Sequence, residues 1–327
     1  MIRALTAGDE RWPLAGRFVI ARGAKTEAHV VLVEIGQDGV RGRGECVPYP
    51  RFGETVPGVL AAIEEVRDEI ESGCGREALQ RLLPPGAARN ALDCALWDLE
   101  AKLSGVPAHL TAGRRRLEPV KTAYTISLDT PQAMAEAARA SARRPLLKIK
   151  IGGGDDLDCV RAVRDAAPRT RLVVDANEAL DLQDLIRLAP EFAALGVKLI
   201  EQPLPADQDE ALEGFQSPVP LCADESLMSR AELHACARRY GCVNIKLDKA
   251  GGLTEALALA AQARDMGLAV MAGSMVATSL AVAPAMILAQ GADFVDLDGP
   301  LLLDRDRRPG LAIVGSMIEP PTPELWG

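Results

Sequence analysis

The sequence predicts a (β/α)7β barrel of the TIM type, with an N-terminal α+β domain that caps it. Short apolar runs recur through residues 146–300, and a charged residue stands at the end of most of them. Five of these charges, Lys150, Asp175, Glu201, Asp224 and Lys246, follow one another at spacings of 25, 26, 23 and 22 residues. One strand and one helix fill such a step, and these barrels carry their functional groups at the carboxyl ends of the strands.

The barrel is expected to contain eight strands, the first after Thr122 and the last near Phe294. A helix is predicted to begin at Thr130, with Pro131 in its first turn. After Pro300 the chain shows two short strand patterns around a turn, within residues 301–315, and no further long amphipathic helix. The pattern is therefore (β/α)7β, without an eighth helix.

The segment before the barrel has strands first and helices second, which is typical of an α+β domain. Residues 28–36 alternate and are rich in β-branched side chains, so we expect an antiparallel meander. Helices are predicted over residues 57–73 and 88–105. We expect a capping domain over residues 1–115 and a barrel over residues 116–301. The C-terminal tail, residues 302–327, is expected to return to the capping domain.

Composition excludes several classes of protein. A net charge of −9 and a pI near 5.1 argue against nucleic acid as a partner, because phosphate binding needs a basic surface. No segment approaches the roughly 20 successive apolar residues of a membrane span, and the N-terminus lacks a signal-peptide pattern. The seven cysteines form no Cys-x-x-Cys pair and indicate reduced core residues in a cytoplasmic protein.

Three acidic residues, Asp175, Glu201 and Asp224, close three successive predicted strands. One acid in such a place is more often a helix cap or an ion-pair partner. Three in succession, between lysine-bearing strands, indicate a hard divalent cation, because Mg²⁺ takes carboxylate oxygens. We therefore predict one Mg²⁺ site. The histidines, His29, His109 and His234, lie outside these motifs and are interpreted as structural.

The lysine strands on either side of the acids indicate proton transfer. Lys148 and Lys150 are two residues apart, so both point to one face of their strand. The same alternation puts Lys246 on one face with Asn244 and Asp248, and Lys249 on the other face or in the following loop. Lys150 and Lys246 are thus the predicted catalytic bases.

Two further groups of charges are candidate substrate contacts. Asp296 and Asp298 share a face of the last strand and could hold a substrate cation, although a structural cap before Gly299 is an alternative. Lys25, or alternatively Arg22, lies in a polar loop, residues 21–27, and could meet a substrate carboxylate.

The barrel motifs together resemble the enolase superfamily, in its muconate-lactonizing subgroup. They are KIK (148–150), VVDAN (173–177), IEQPLP (200–205), CADES (222–226) and NIKLDKAGG (244–252). DLDGP (296–300) resembles the Asp-x-Asp signature of the L-Ala-D/L-Glu epimerases, and the capping segments 18–28, 44–55 and 86–100 are also similar to those enzymes. The resemblance covers most of the chain.

This resemblance implies a Mg²⁺-dependent 1,1-proton transfer, through an enediolate, at the Cα of the C-terminal residue of a murein-derived dipeptide. It implies that Lys150 and Lys246 act from opposite sides and that Lys148 holds a carboxylate oxygen. Asp296 and Asp298 would bind the dipeptide's ammonium group. The alternatives are o-succinylbenzoate synthase, cycloisomerase or N-acylamino acid racemase activity, or a non-catalytic binding barrel.

Overall fold

A computed structural model describes residues 3–153 and 156–327. Its N-terminal part contains the predicted antiparallel meander, in which Val33 pairs with Ala7 on one side and Gly44 on the other. The three strands are β1 (Ala4–Ile20), β2 (Gly23–Gln37) and β3 (Val40–Cys46). Five helices follow: α1 (Val56–Glu65), α2 (Arg67–Glu71), α3 (Arg76–Leu82), α4 (Ala87–Ser104) and α5 (Ala108–Thr111).

Helix α4 lies directly on β3, and this contact requires glycine. A Cβ atom on Gly44 would lie 2.0 Å from the carbonyl oxygen of Ala91, which no side chain tolerates. Both predicted helices of this domain are present, and α4 ends at Gly105 in the left-handed region, with φ of 68°. The first helix is interrupted at Val66, where the backbone leaves helical geometry and separates α1 from α2.

The predicted barrel is confirmed as a sheet of eight parallel strands in sequential order. After β4 (Val120–Lys121), the barrel strands are β5 (Tyr124–Ile126), β6 (Leu146–Lys150), β7 (Arg171–Asp175), β8 (Val197–Glu201), β9 (Leu221–Ala223), β10 (Cys242–Lys246), β11 (Ala269–Gly273) and β12 (Phe294–Asp296). The N–H of Ala123 donates to the carbonyl of Val295 at 2.8 Å, which joins the two ends of the sheet.

Among the described residues, seven helices flank the barrel strands: α6 (Pro131–Ala140), α7 (Leu157–Ala166), α8 (Leu182–Ala194), α9 (Leu233–Arg239), α10 (Leu247–Ala250), α11 (Leu253–Asp265) and α12 (Ser279–Ala289). Thr130 caps α6 as predicted, accepting from the N–H of Ala133 at 3.3 Å. The expectation of one helix per step is wrong between β8 and β9. Residues 202–220 are fully described and contain only a 3₁₀ helix, Asp209–Leu212. A longer helix is limited to the residues between Pro205 and Pro218, and Gly214, with φ of 81°, breaks helical geometry there.

The tail forms two short strands, β13 (Ile313–Val314) and β14 (Met317–Ile318), around Gly315. The first lies inside the predicted range and the second just after it, because the start of that range belongs to a 3₁₀ helix, Gly299–Leu302, with Pro300 in its first turn. Arg307, between that helix and β13, donates to Glu10 and Glu45. Strand β14 pairs with β4, and Trp326 Nε1 then donates to the carbonyl of Cys94 in α4 at 3.0 Å. The tail thus spans both parts of the molecule.

All seven cysteines are free, and only Cys74 is not fully buried. Across residues 3–153 and 156–327, no helix combines the length and apolar character that crossing a bilayer requires.

Candidate active site

A cavity of about 830 Å³ lies between the capping domain and the carboxyl ends of the barrel strands. Most of the predicted site residues line it: Arg22, Lys25, Lys148, Lys150, Asp224, Lys246, Asp296 and Asp298. Asp175 and Glu201 lie beneath this lining and have no exposed surface. The structure therefore brings the predicted groups together in one place.

The three predicted metal ligands are adjacent because of strand register. Asp175 of β7 pairs with Glu201 of β8, and Glu201 pairs with Cys222 of β9, which places Asp224 two residues further on. Lys148 Nζ lies 3.0 Å from Asp175 Oδ2 and 2.7 Å from Glu201 Oε2. These buried charges hold one another at contact distance.

The donor set of this cluster fits a hard cation. Burial, and then the charge of Asp175, raise the pKa of Glu201 to about 7. Glu201 Oε2 is near Lys148 Nζ but outside hydrogen-bonding geometry, so this buried acceptor has no hydrogen-bond partner. In the described ranges no three acidic, imidazole or thiol groups form a ready-made metal cluster. Instead, Lys148 Nζ lies within contact distance of the carboxylates of Asp175 and Glu201.

The two predicted bases lie on opposite sides of the cavity, because β6 and β10 are four positions apart in the eight-stranded order. Lys150 Nζ donates to Asp175 Oδ2 at 2.6 Å, and Lys246 Nζ donates to Asp224 Oδ2 at 2.6 Å. Burial, the largest single influence, acts to lower the pKa of Lys246, but the charges of Asp224, Glu201 and Glu225 together outweigh it and raise that pKa. Asn244 shares the inward face, as predicted, and donates to Glu201 Oε1 at 2.8 Å.

The prediction that Lys249 lies outside the site is wrong. Strand β10 stops at Lys246 and α10 begins at the next residue, so strand alternation does not extend to Lys249. Its Nζ donates to Asp224 Oδ1 at 2.6 Å, to the Asp224 carbonyl, and to the carbonyl of Asn244 at 3.0 Å. The expected shared face of Asp248 fails for the same reason, since its carboxylate accepts from the N–H of Val47 in the capping domain.

Asp296 and Asp298 both line the cavity, but only Asp296 belongs to β12. Asp296 Oδ2 accepts from Lys148 Nζ at 2.7 Å, and its Oδ1 is buried without a partner. Asp298 Oδ2 accepts from the N–H of Thr125 at 2.7 Å, and its side chain does not cap the following 3₁₀ helix, Gly299–Leu302. Burial, and then the charge of Asp296, raise the pKa of Asp298 to about 7.

The two candidate cations of the capping domain differ in their partners. Arg22 is held by Glu225 at 2.5 Å and by Glu178 at 2.9 Å. Lys25 Nζ lies 4.9 Å from the centre of the Tyr49 ring, and no acidic group in the described parts of the chain pairs with it. Burial, and then the charge of Arg22, lower the pKa of Lys25. The expected loop over residues 21–27 is shorter than predicted, because only Ala21 and Arg22 lie between β1 and β2 and residues 23–27 belong to β2.

Sequence reasoning missed the residues that join the capping domain to the barrel. Glu178, directly after the VVDAN motif, accepts hydrogen bonds from Arg22 and from both Nε and Nη2 of Arg51. The sequence contains no local signal for these contacts, because they connect residues more than a hundred positions apart.

Two family models match the chain. Residues 2–111 match the mandelate racemase / muconate lactonizing enzyme N-terminal domain, and residues 132–322 match the enolase C-terminal domain-like family. The chain belongs to the enolase superfamily. The first matched region contains the capping sheet, and the second contains most of the barrel strands.

Several members of the enolase superfamily are similar along nearly the whole chain. The L-Ala-D/L-Glu epimerase of Escherichia coli (strain K12) is 47% identical over 312 residues, covering 95% of this chain and 97% of that protein. An N-acetyl-D-glutamate racemase of a Pseudoalteromonas species is 42% identical, covering 91% of this chain and 95% of that protein.

A solved structure of an enolase-family protein from Agrobacterium tumefaciens, with homology to dipeptide epimerases, superposes with a TM-score of 0.98. It is 50% identical and covers 99% of this chain and 100% of that chain. That structure contains bound sodium, L-Ala-L-Glu and an ordered loop. A dipeptide epimerase from Enterococcus faecalis, complexed with Mg and L-Leu-L-Tyr, has a TM-score of 0.91 at 28% identity, with 98% of each chain covered.

The contact of Lys249 with Asp224 leads to a first prediction. Lys249→Met should lower the free energy of unfolding by about 3 kcal/mol, because it removes one partner from a buried ion pair. Urea unfolding in EDTA measures this change, and Lys198→Met, at an exposed position of β8, is the control. The control should change stability by no more than about 0.5 kcal/mol. Equal stabilities of the two variants would show that Lys249 does not support Asp224.

Proposed function

We propose that this protein is a Mg²⁺-dependent dipeptide epimerase. It inverts the Cα of the C-terminal residue of L-Ala-D/L-Glu-type dipeptides by 1,1-proton transfer. The observation that carries this proposal is the placement of Lys150 and Lys246 on opposite sides of one cavity, with the acidic cluster between them. The names and bound dipeptides of the similar proteins support the same reaction class.

Asp175, Glu201 and Asp224 are the proposed ligands of the cation, since strand register places them at the ends of three successive strands and Glu201 Oε2 lacks a hydrogen-bond partner. When bound, Mg²⁺ supplies positive charge that stabilises the enediolate form of the substrate carboxylate. Lys148 Nζ, already shared among carboxylates, donates to an oxygen of the same substrate group.

Lys150 and Lys246 exchange one proton with each face of the substrate. The neutral lysine accepts the Cα proton on Nζ, and the electrons of the broken C–H bond remain on the substrate. The protonated lysine on the other side donates its proton to the opposite face of Cα and becomes neutral. The centre is inverted, and the pair of lysines ends with the roles exchanged.

The remaining charges select the substrate. Asp296, with a free buried oxygen, and Asp298, at the same wall, hold the N-terminal ammonium group of the dipeptide. Lys25 is a cavity-lining cation without an acidic partner in the described residues, so it meets the side-chain carboxylate of a Glu residue. Arg22 is committed to other carboxylates and does not take this role.

We also propose the cytoplasm as the compartment and dipeptides from peptidoglycan as the substrates. The seven free cysteines support the first. The name of the Escherichia coli relative supports the second. Residues 1–115 are assigned to the capping domain and residues 116–301 to the barrel. The tail, residues 302–327, pairs with β4 of the barrel segment and then returns to the capping domain through the contact of Trp326 with α4.

The metal prediction concerns exchange of the substrate Cα–H in D₂O, followed by ¹H NMR with L-Ala-L-Glu. EDTA should abolish exchange, and added Mg²⁺ should restore it. Asp175→Asn, Glu201→Gln and Asp224→Asn should each reduce the rate by about 100-fold or more, because changes beyond the ligand shell already cost 10–100-fold in many metalloenzymes. Full activity in metal-free protein would refute the role of the cation.

A third prediction separates dipeptides from N-acylated glutamate. Asp298→Asn should raise KM for L-Ala-L-Glu by about 10- to 100-fold, the change expected when a hydrogen bond to a charged group is lost. The same variant should leave KM for N-acetyl-glutamate nearly unchanged. Wild-type preference for N-acetyl-glutamate over the dipeptide would contradict the proposed ammonium contact and favour the racemase activity named for the Pseudoalteromonas relative.

A further inference from the structure

Two segments of the capping domain close the cavity on the side away from the barrel. The hairpin tip, residues 18–25, contributes Phe18, Arg22 and Lys25 to the lining. The cap loop, residues 49–55, contributes Tyr49 and Phe52, whose rings lie 5.5 Å apart. The position of both segments therefore sets the shape of the cavity at the end where Lys25 stands.

One barrel side chain contacts both segments. The carboxylate of Glu178 accepts from Arg51 Nε and Nη2, each at 2.6 Å, and from Arg22 Nη1 at 2.9 Å. It also accepts from the N–H of Ala206 at 2.9 Å, which ties it to the loop after β8. The Glu178 side chain is only 7% exposed. A bidentate contact with arginine is a strong and directional form of ion pair.

Arg22 extends this connection around the rim. It donates to the carbonyl of Asn177 at 2.7 Å and to Glu225 Oε1 at 2.5 Å on the barrel, and to the hydroxyl of Tyr49 at 3.3 Å. The hairpin tip is thereby joined to the cap loop as well as to the barrel. Its backbone link to the barrel, from the N–H of Leu128 to the carbonyl of Val19, joins two residues that do not line the cavity.

The backbone at Glu178 is held in an unusual conformation that aims its side chain. Asn177 has φ of 44° and Glu178 has φ of 71°, in the left-handed region that residues with a Cβ rarely adopt. Hydrogen bonds maintain both residues, because the Asn177 N–H donates to Asp175 Oδ1 and the Glu178 N–H donates to the carbonyl of Gln202, each at 2.9 Å. Strain of this kind persists where surrounding structure demands it, which is common at functional sites.

We propose that Glu178 is a positioning residue that fastens the hairpin tip and the cap loop to the barrel and so places Lys25 against the substrate side chain. Glu178 itself does not line the cavity. It acts through Arg22 and Arg51. This inference rests on the proposed function for its kinetic consequence, while the mechanical contact is independent of any reaction.

Hydrogen–deuterium exchange of the substrate-free, full-length protein tests the contact directly. Glu178→Gln keeps the size of the side chain and removes its charge. Exchange in the hairpin tip, residues 18–25, and in the cap loop, residues 49–55, should rise about tenfold, the change expected when a charge-assisted contact is lost. Arg51→Met removes the ion pair with Glu178 from the arginine side. The double variant, Glu178→Gln with Arg51→Met, should show no further rise in exchange. Glu255→Gln is the matched control, because Glu255 forms an equivalent bidentate pair with Arg230 away from the cavity.

Steady-state kinetics with L-Ala-L-Glu gives the second measurement. Glu178→Gln should raise KM about tenfold and change kcat less than threefold, because the variant alters substrate positioning and not the proton-transfer groups. Unchanged exchange in both segments, or an equal rise in Glu255→Gln, overturns the proposal. A lower kcat with an unchanged KM also overturns it. If the wild-type protein epimerises no dipeptide, the proposed function fails, and the exchange comparison still decides whether Glu178 fastens the segments.

Discussion

The ionised carboxylates at the ends of β7 and β9 are the constraint on which the rest of the site depends. Asp175 and Asp224 are 0% and 2% exposed, and burial opposes their charge. Ammonium groups in contact with these carboxylates lower the pKa of both. Asp175 contacts Lys148 and Lys150 of β6, and Asp224 contacts Lys246 and Lys249. Removing one partner from such a group is costly. The ends of β6, β10 and α10 must therefore hold their lysines at contact distance.

This arrangement connects the fold to the proposed chemistry. Lys150 contacts the proposed ligand Asp175, and Lys246 contacts the proposed ligand Asp224, so the charge of each carboxylate acts directly on a proposed base. The barrel thus supplies the reacting charges, and their spacing follows from strand register. The capping domain supplies apolar walls and one cation without an acidic partner in the described residues, Lys25, and its placement depends on contacts made outside the cavity.

The sequence predicted the features that follow from local periodicity. Buried parallel strands are apolar, so charges at their ends, such as Lys150 and Glu201, stand out and recur at the length of one strand and one helix. Lys249 was misplaced because β10 gives way to a helical turn immediately after Lys246, and strand alternation no longer applies. Glu178 could not be predicted, since its partner Arg51 lies 127 residues away and its left-handed backbone has no glycine to signal it.

The stereochemistry of Cα–H exchange tests the two-lysine account most directly. L-Ala-L-Glu and L-Ala-D-Glu are incubated separately in D₂O with Mg²⁺, and loss of the Cα–H signal is followed by ¹H NMR. Lys150→Ala should stop exchange of one epimer and spare the other, and Lys246→Ala should show the opposite preference, because each base faces one side of the planar enediolate. Loss of exchange for the same epimer in both variants, with the other epimer spared in both, would contradict the assignment of the lysines to opposite faces.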